Sequence, residues 1–567
     1  MSSRQARMHD TSWLNFLAWL LLWAGSALAA DTPELPGMAD NPLAGGIQAL
    51  LREGVHPKLR WSQFPDMQPA LQQLYQGNQF RPLWTREGRA SSQAKAVVAS
   101  LAEASSRGLN PEDYDTKLLH DWLHQIDSGQ HASPQNLASF DVALSLELMR
   151  YASSLYVGRV NPQHVNFGLD IAPKKLDLPA LLKDLASRHD PAEQVSALEP
   201  KLKLYESLKH ALARYEQLAA ANPEPPQFSF PAKFKPGDRH PEIKTLRLWM
   251  TTLGDMPESA HDNDIYDKDL AAGVKSFQKR HGLAADGVIG KTTLAALNYP
   301  LSARVKQIQL GLERLRWLPE RFEGRYIIVN IPSFELFAFS DDLGRPDLKM
   351  NVIVGEAING RNTPVFHSDM TYVNFRPYWN VPYKITAKEY LPILLRNPGY
   401  LARNNMEIVP NFSPNAPVYE PNLDTIAQLS TGALKLRQRP GPKNALGLVK
   451  FAFPNTNNVY LHSTPSQGLF KKARRDFSHG CIRVEDPVGL AEYVLAEQAE
   501  PWTRERIEEA MKADKPKIVS LKKSLPVYLF YSTVLADDSG DVMFFNDIYG
   551  HDQILQDLLA KGFPYPV

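Results

Sequence analysis

Apolar residues keep three- and four-residue spacing through the first half of this chain, then switch from Arg325 onward to short β-branched and aromatic runs parted by turn residues. Helical spacing covers residues 93–104, 140–156, 178–187 and 200–219, and a compact helical unit follows at about 236–298. Strand-like runs lie at 326–331, 335–339, 350–354, 370–375, 449–453 and 459–462. Helical spacing returns at 487–498 and 503–513, and strands again at 527–545. With 567 residues, the chain is also well past the ~250–300 at which a single core stops growing. The expected fold class is therefore α+β multidomain, with a helical first half and an open or closed, mostly-β domain after it.

Turn and linker composition places the boundaries. Residues 1–30 carry Arg4 and Arg7, an apolar stretch over 13–23, and Ala27 and Ala29 in a small-residue cleavage context, which reads as a secretory signal peptide. An uncleaved membrane anchor is the alternative, although the stretch falls short of the ~20 residues a spanning helix needs. Residues 31–225 read as a helical scaffold domain closed by Asn222-Pro223-Glu224-Pro225-Pro226. Within it, Phe80-Arg81-Pro82-Leu83-Trp84 and Gly108-Leu109-Asn110-Pro111-Glu112 read as packing and capping features. The compact module spans 236–298 and the β-rich domain 299–508, with an irregular insert of lid size at about 384–447 that holds one helical piece near 387–395. Residues 509–567 are expected to add C-terminal strands that complete the scaffold or the β-rich domain.

Charge and motif content exclude several functions. Lys plus Arg is 63 and Asp plus Glu 62, a formal charge of +1 with no single-sign run, so no nucleic-acid footprint is present. Gly290-Lys291-Thr292 imitates the end of a phosphate-binding loop, but Ala285 stands where its first glycine belongs. Ser276-Phe277-Gln278-Lys279 and Ser520-Leu521-Lys522-Lys523 fit Ser-x-x-Lys without any Lys-Thr-Gly partner.

Cys481 is the only cysteine, so within this chain it cannot form a disulfide. It sits in Ser478-His479-Gly480-Cys481-Ile482-Arg483, where polar neighbours favour a nucleophile over a buried hydrophobe. A nucleophilic thiol needs a base. In an extended segment His479 shares a face with Cys481 but stands roughly 6.5 Å away, whereas His462, at the end of another strand-like run, can arrive opposite the sulfur. The Ser463 carbonyl is a reasonable orienter for its second nitrogen. Gly480 clears space beside the nucleophile, and amides around Gly480 and Cys481 are candidate oxyanion donors. Arg483 could recognise a carboxylate, or pair with Asp476 or Glu485. Zinc binding by His462, His479, Cys481 and Asp476 has weak spacing, so no metal and no cofactor is expected. An inert buried cysteine stays open as an alternative.

These residues resemble known families. Phe277-Gln278, Gly282-Leu283, Asp286-Gly287 and Gly290-Lys291-Thr292-Thr293 resemble the three-helix peptidoglycan-binding module. His462-Ser463-Thr464 with Ser478-His479-Gly480-Cys481-Ile482-Arg483 resembles the signature of the YkuD-type L,D-transpeptidases, as do Gly355, Arg361-Asn362-Thr363-Pro364 and residues 376–382. The runs at 313–319 and 436–447 resemble the large YcbB-like Gram-negative branch. The resemblance implies a mostly-β catalytic domain with a lid insertion, a helical scaffold and a wall-binding module. It implies Cys481 as nucleophile, His462 as base, the Ser463 carbonyl as orienter, and His479 with Gly480 in the oxyanion environment. Arg483 is then a substrate contact, and Tyr460 and Trp379 pocket-wall residues. The implied activity is periplasmic 3→3 cross-linking of peptidoglycan stem peptides, from a tetrapeptide donor to a diaminoacid acceptor, with release of D-Ala. Other acceptors (lipoprotein lysine, a free D-amino acid, water) and a non-catalytic wall-binding scaffold are the alternatives. Other wall synthases are candidate partners, and membrane contact is expected at most through the N-terminal signal.

Overall fold

A computed structural model describes residues 41–130, 133–170, 174–258, 263–340, 345–358, 360–537 and 540–564. The signal segment at 1–30 lies outside the described residues. Among those described, no helix is long and apolar enough to cross a membrane.

The scaffold is built around α1, Pro134–Tyr156, which starts on the Ser133 cap with proline in its first turn and is buried along most of its length. A helix buried on every side must satisfy its polar groups internally. Asp141 does so by accepting the amides of Leu83 and Trp84 and the hydroxyl of Tyr75, each at 2.8 Å. Trp84 donates to Ser145, and Asn110 caps the short helix Pro111–Tyr114, so both scaffold motifs have structural roles. A second long helix, α2 (Lys203–Ala221), packs on α3 (Leu301–Leu315), which leads toward the β-rich domain.

The module at 239–297 holds helices Ile243–Leu253, Lys268–Arg280 and Lys291–Leu297. Its signature residues converge on buried Gln278. That amide donates to Asp286, Val288 and Thr293 and accepts the Gly287 N–H. The Phe-Gln, Asp-Gly and Gly-x-x-Thr elements are thus one hydrogen-bonded cluster, and Ser276 is turned to Asp255.

Eight strands close into a barrel: β1 Tyr326–Asn330, β2 Glu335–Phe339, β3 Leu348–Gly355, β4 Val365–Phe375, β5 Val449–Ala452, β6 Leu461–His462, β7 Ile482–Val484 and β8 Lys517–Phe530. The order is β5-β6-β7-β3-β2-β1-β8-β4, and a β4–β5 pairing completes the ring. Phe167–Gly168 of the scaffold pairs with β4 from outside. The barrel is therefore incomplete at residue 508, because β8 joins β1 to β4. Reading strands only from residue 527 missed the first half of β8; Pro526 and the register shift between Ser520 and Leu525 interrupt the alternation there. The rest of the C-terminal segment, the hairpin Val534–Ala536/Val542–Phe544 and α4 (His551–Leu559), packs against the scaffold side.

The insert is more ordered than its composition suggested. Strands Trp379–Asn380, Met406–Val409 and Lys435–Gln438 form a three-stranded sheet. Helices Leu391–Arg396 and Leu423–Thr431 cover a separate core that includes Leu394, Ile408, Leu429 and Leu436. The helical piece expected near 387–395 is present, as Thr386–Tyr390 and Leu391–Arg396; the rest, expected to be irregular, completes a small folded subdomain hidden by short elements and frequent prolines.

Candidate active site

Strand register assembles the site. Lys450 pairs with His462 across β5 and β6, and His462 pairs with Arg483 across β6 and β7. Paired residues project to one face of a sheet, so these three side chains form a row. The preceding row of Phe451, Leu461 and Ile482 is fully buried in the hydrophobic core. One step back along β6, the Tyr460 carbonyl accepts the Ile482 amide, which sets Tyr460 beside Cys481.

His462 is buried, and its Nδ1 lies 2.6 Å from the Ser463 carbonyl. A carbonyl only accepts, so Nδ1 carries the hydrogen and Nε2 keeps its lone pair. Burial, with the positive charges of Arg483 and Lys450 adding to it, pulls the imidazole down to about 3. The ring is neutral at physiological pH. Ser463 is itself fixed, accepting the amides of Leu448 and Val449 through Oγ. A Cβ on Gly447 would stand 2.1 Å from that oxygen, and its φ of +63° already favours glycine.

The Cys481 turn is held from several sides. Gly480 has φ +114°, a backbone setting that a side chain would strain. Ser478 Oγ accepts the Gly480 amide at 3.1 Å and donates to the Cys481 carbonyl at 2.5 Å. Thr363 donates to the Gly480 carbonyl at 2.8 Å and accepts the Gly355 amide at 2.9 Å. Tyr549, from the C-terminal segment, donates to the Gly355 carbonyl and accepts the Thr363 amide. Gly355 is required by space, since a Cβ would sit 2.0 Å from the Arg361 carbonyl.

The half-buried thiol points to the Asn458 carbonyl, 3.6 Å away. Burial pushes the thiol up from its usual range, against the smaller opposing effects of hydrogen bonds from Tyr460 and the charges of Lys450 and Arg483. At rest, therefore, the thiol and the imidazole are both neutral, and a proton would have to move were Cys481 to attack a substrate.

The structure gathers Cys481, His462, Ser463, Tyr460 and Arg483 and treats the other expected residues differently. The Gly480 amide is already engaged by Ser478, so it does not suit the oxyanion role; the Cys481 amide has no acceptor among the described residues. The His479 imidazole turns to the insert, with Nε2 2.6 Å from Glu389 Oε1, so its side chain is not an oxyanion donor. Glu389 also pairs with Arg361 at 2.8 Å, which in turn holds Glu356 at 3.0 Å. Trp379 packs edge-on to Tyr390 against the insert core. Sequence reading missed Lys450, Glu389, Thr363 as a brace, and Tyr549. Thr363 alone lay in a run already singled out, Arg361-Asn362-Thr363-Pro364, but nothing in that run marks it as a brace. Among the described residues no group of three or more His, Cys, Asp or Glu is arranged for a metal.

Comparison with known proteins agrees with this architecture. Residues 324–516 match the L,D-transpeptidase catalytic domain (YkuD), residues 239–297 a peptidoglycan binding domain, and residues 69–212 a scaffold domain. A Haemophilus influenzae protein bearing a provisional L,D-transpeptidase name is 33% identical over 249 residues, 44% of this chain and 48% of that protein. The Mycobacterium tuberculosis protein CwlM, named an N-acetylmuramoyl-L-alanine amidase, is 31% identical over 86 residues, 13% of this chain and 21% of its own length. The chain thus spans about half or less of the curated relatives it matches. Solved L,D-transpeptidase structures from Xylanimonas cellulosilytica and Stackebrandtia nassauensis are each 15% identical. They cover 53% of this chain and 100% and 97% of their own, with TM-scores of 0.17 and 0.20. On the domain matches, with the barrel and site described above, the chain carries a YkuD-type L,D-transpeptidase catalytic domain joined to a scaffold domain and a peptidoglycan-binding domain.

Proposed function

We propose that this protein is a periplasmic, cysteine-dependent L,D-transpeptidase that makes 3→3 cross-links between peptidoglycan stem peptides. The carrying observation is the locked tautomer of His462, which leaves Nε2 as an acceptor on the sheet face that also bears Cys481. As His462 takes the thiol proton, Sγ attacks the carbonyl of the third, diaminoacid residue of a donor tetrapeptide. The Cys481 amide is the available donor to the oxyanion. Collapse breaks the bond to D-Ala, whose amine takes the proton from His462, and leaves a thioester. A second stem's side-chain amine then attacks, gives its proton to His462, and releases the thiol.

The folded insert, latched to His479 through Glu389, supports a thioester shielded from water, which favours an amine acceptor. The wall-binding module would hold the enzyme on its polymer, and residues 1–30 would direct export. Incubation with a disaccharide-tetrapeptide tests the reaction by product mass. Dimer with loss of D-Ala supports cross-linking, tripeptide alone indicates hydrolysis, and an exchanged stem indicates a free D-amino acid acceptor. Dimer formation by the Cys481→Ala variant would overturn the reading. A carbapenem adduct at Cys481 separates an enzyme from a wall-binding scaffold, and fractionation tests the location.

A further inference from the structure

Two cations flank the base. Lys450 and Arg483 stand on either side of His462 in one cross-strand row, and the sulfur of Cys481 feels both charges. Each is half-buried, and neither makes an ion pair with a carboxylate among the described residues. Glu356 acts on Arg483 from a distance but is in contact with Arg361 at 3.0 Å. Lys450 is held by Tyr460, with Nζ 3.8 Å from the ring centroid.

Elsewhere several buried arginines meet a carboxylate, although Arg475 is satisfied by backbone carbonyls and the Asn351 amide oxygen instead. Arg107 faces Glu199, Arg150 faces Asp66, Arg314 faces Asp552, Arg316 faces Glu313 and Arg437 faces Glu407. Taking a cation out of water without a counter-charge is costly, and the cost persists where a ligand offsets it. Two such cations beside one nucleophile make a site for an anion that approaches with the substrate.

We propose that Lys450 and Arg483 form a carboxylate seat that docks a substrate carboxylate next to the thiol. The identity of that ligand rests on the peptide-transfer reading above, which offers two sources of the same chemistry. One is the terminal carboxylate of the departing residue, and the other is the side-chain carboxylate of the diaminoacid. Docking has a consequence for the base. The same two charges depress His462, so a bound carboxylate cancels part of that depression and makes the imidazole a better acceptor when substrate is present.

Alkylation of Cys481 in the full chain tests the seat without any peptide. Iodoacetate carries a carboxylate and iodoacetamide does not, so their rate ratio, taken against the ratio for glutathione, reads the seat directly. Wild type should favour iodoacetate, and Lys450→Gln and Arg483→Gln should each lower the ratio about fivefold, the size of one charge contact in water. Lys450→Arg should restore it, and thermal unfolding of each variant checks folding. If the lysine only stabilised the thiolate, both reagents would slow equally; an unchanged ratio overturns the proposal. Donor peptides amidated at one carboxylate or the other then identify the source. Amidation at the seated position should slow wild type and leave Lys450→Gln indifferent, and equal losses in both proteins for both amides count against the seat. A shifted haloacetate ratio in a protein that turns over no peptide would keep the seat and remove the peptide reading.

Discussion

A thiol and an imidazole that both rest neutral have a distinct pH signature. Burial raises the Cys481 thiol, and His462 sits at about 3, so no thiolate–imidazolium pair is stored at neutral pH. Alkylation of Cys481 by iodoacetamide should keep rising with pH into the alkaline range, and a plateau below pH 8 would show a preformed ion pair instead. The braces around the thiol make a second prediction. Thr363→Val keeps the shape of a side chain 1% exposed while stripping partners from the Gly355 amide and the Gly480 carbonyl. Leaving such buried groups unmade costs about 1–3 kcal/mol, so the variant should unfold at lower temperature and acylate more slowly. Stability and acylation both at wild-type level would rule the brace out. At this scale Cys481 and His462 were legible because a lone thiol and a strand-end histidine are chemically conspicuous. Lys450 was not, since a lysine in an alternating run reads as a solvated outward residue, and Tyr549 acts across a sequence gap that spacing cannot bridge.

Under the proposed acyl transfer, the insert is the element expected to favour an amine acceptor over water. Its contact with the catalytic turn runs through Glu389, in the π-helical segment Thr386–Tyr390, which holds His479 and Arg361 together. A π-helical turn rotates side chains out of α-helical register and is common at functional sites. Glu389→Ala should release the insert from the turn. Hydrogen exchange over residues 384–396 should quicken, and the ratio of hydrolysed tripeptide to cross-linked dimer should rise severalfold. Unchanged exchange would show that other contacts hold the insert down. The sequence marked this segment by length but not as a folded unit. Its strands are two to four residues long, and Pro392, Pro398, Pro410, Pro414, Pro417 and Pro421 punctuate it. Period-2 and 3.6 patterns need longer runs to register.

Across the whole molecule, the scaffold and the end of α3, which leads into the barrel, share a buried ionic seam. Glu313, fully buried at the end of α3, accepts the Arg159 amide and side chain and pairs with Arg316 at 3.1 Å. Arg316 reaches the Arg107 carbonyl and the Tyr205 hydroxyl in the scaffold. The 313–319 run, singled out from sequence as a family resemblance, is thus where the scaffold grips the end of α3 just ahead of the barrel, and only tertiary structure shows why it mixes charges with apolar residues. Burial alone would raise the Glu313 carboxyl, but Arg159 and Arg316 outweigh it and hold the group below its usual 4.5. Its stabilisation is therefore full above pH 4.5 and is lost as pH falls through the lowered folded value. Glu313→Gln takes the carboxylate from Arg316 and leaves Arg159 the longer contact to Asp113 at 3.9 Å, a loss of about 3–5 kcal/mol on the usual scale for breaking a buried pair. Calorimetry at pH 7 should then show a lower transition that splits, with the scaffold unfolding apart from the barrel. The difference from wild type should shrink as the pH is brought below 4.5, where protonation removes the same charge from the native protein. A single undisplaced transition would mean that the apolar contacts of α2 and α3, not the seam, couple the two halves.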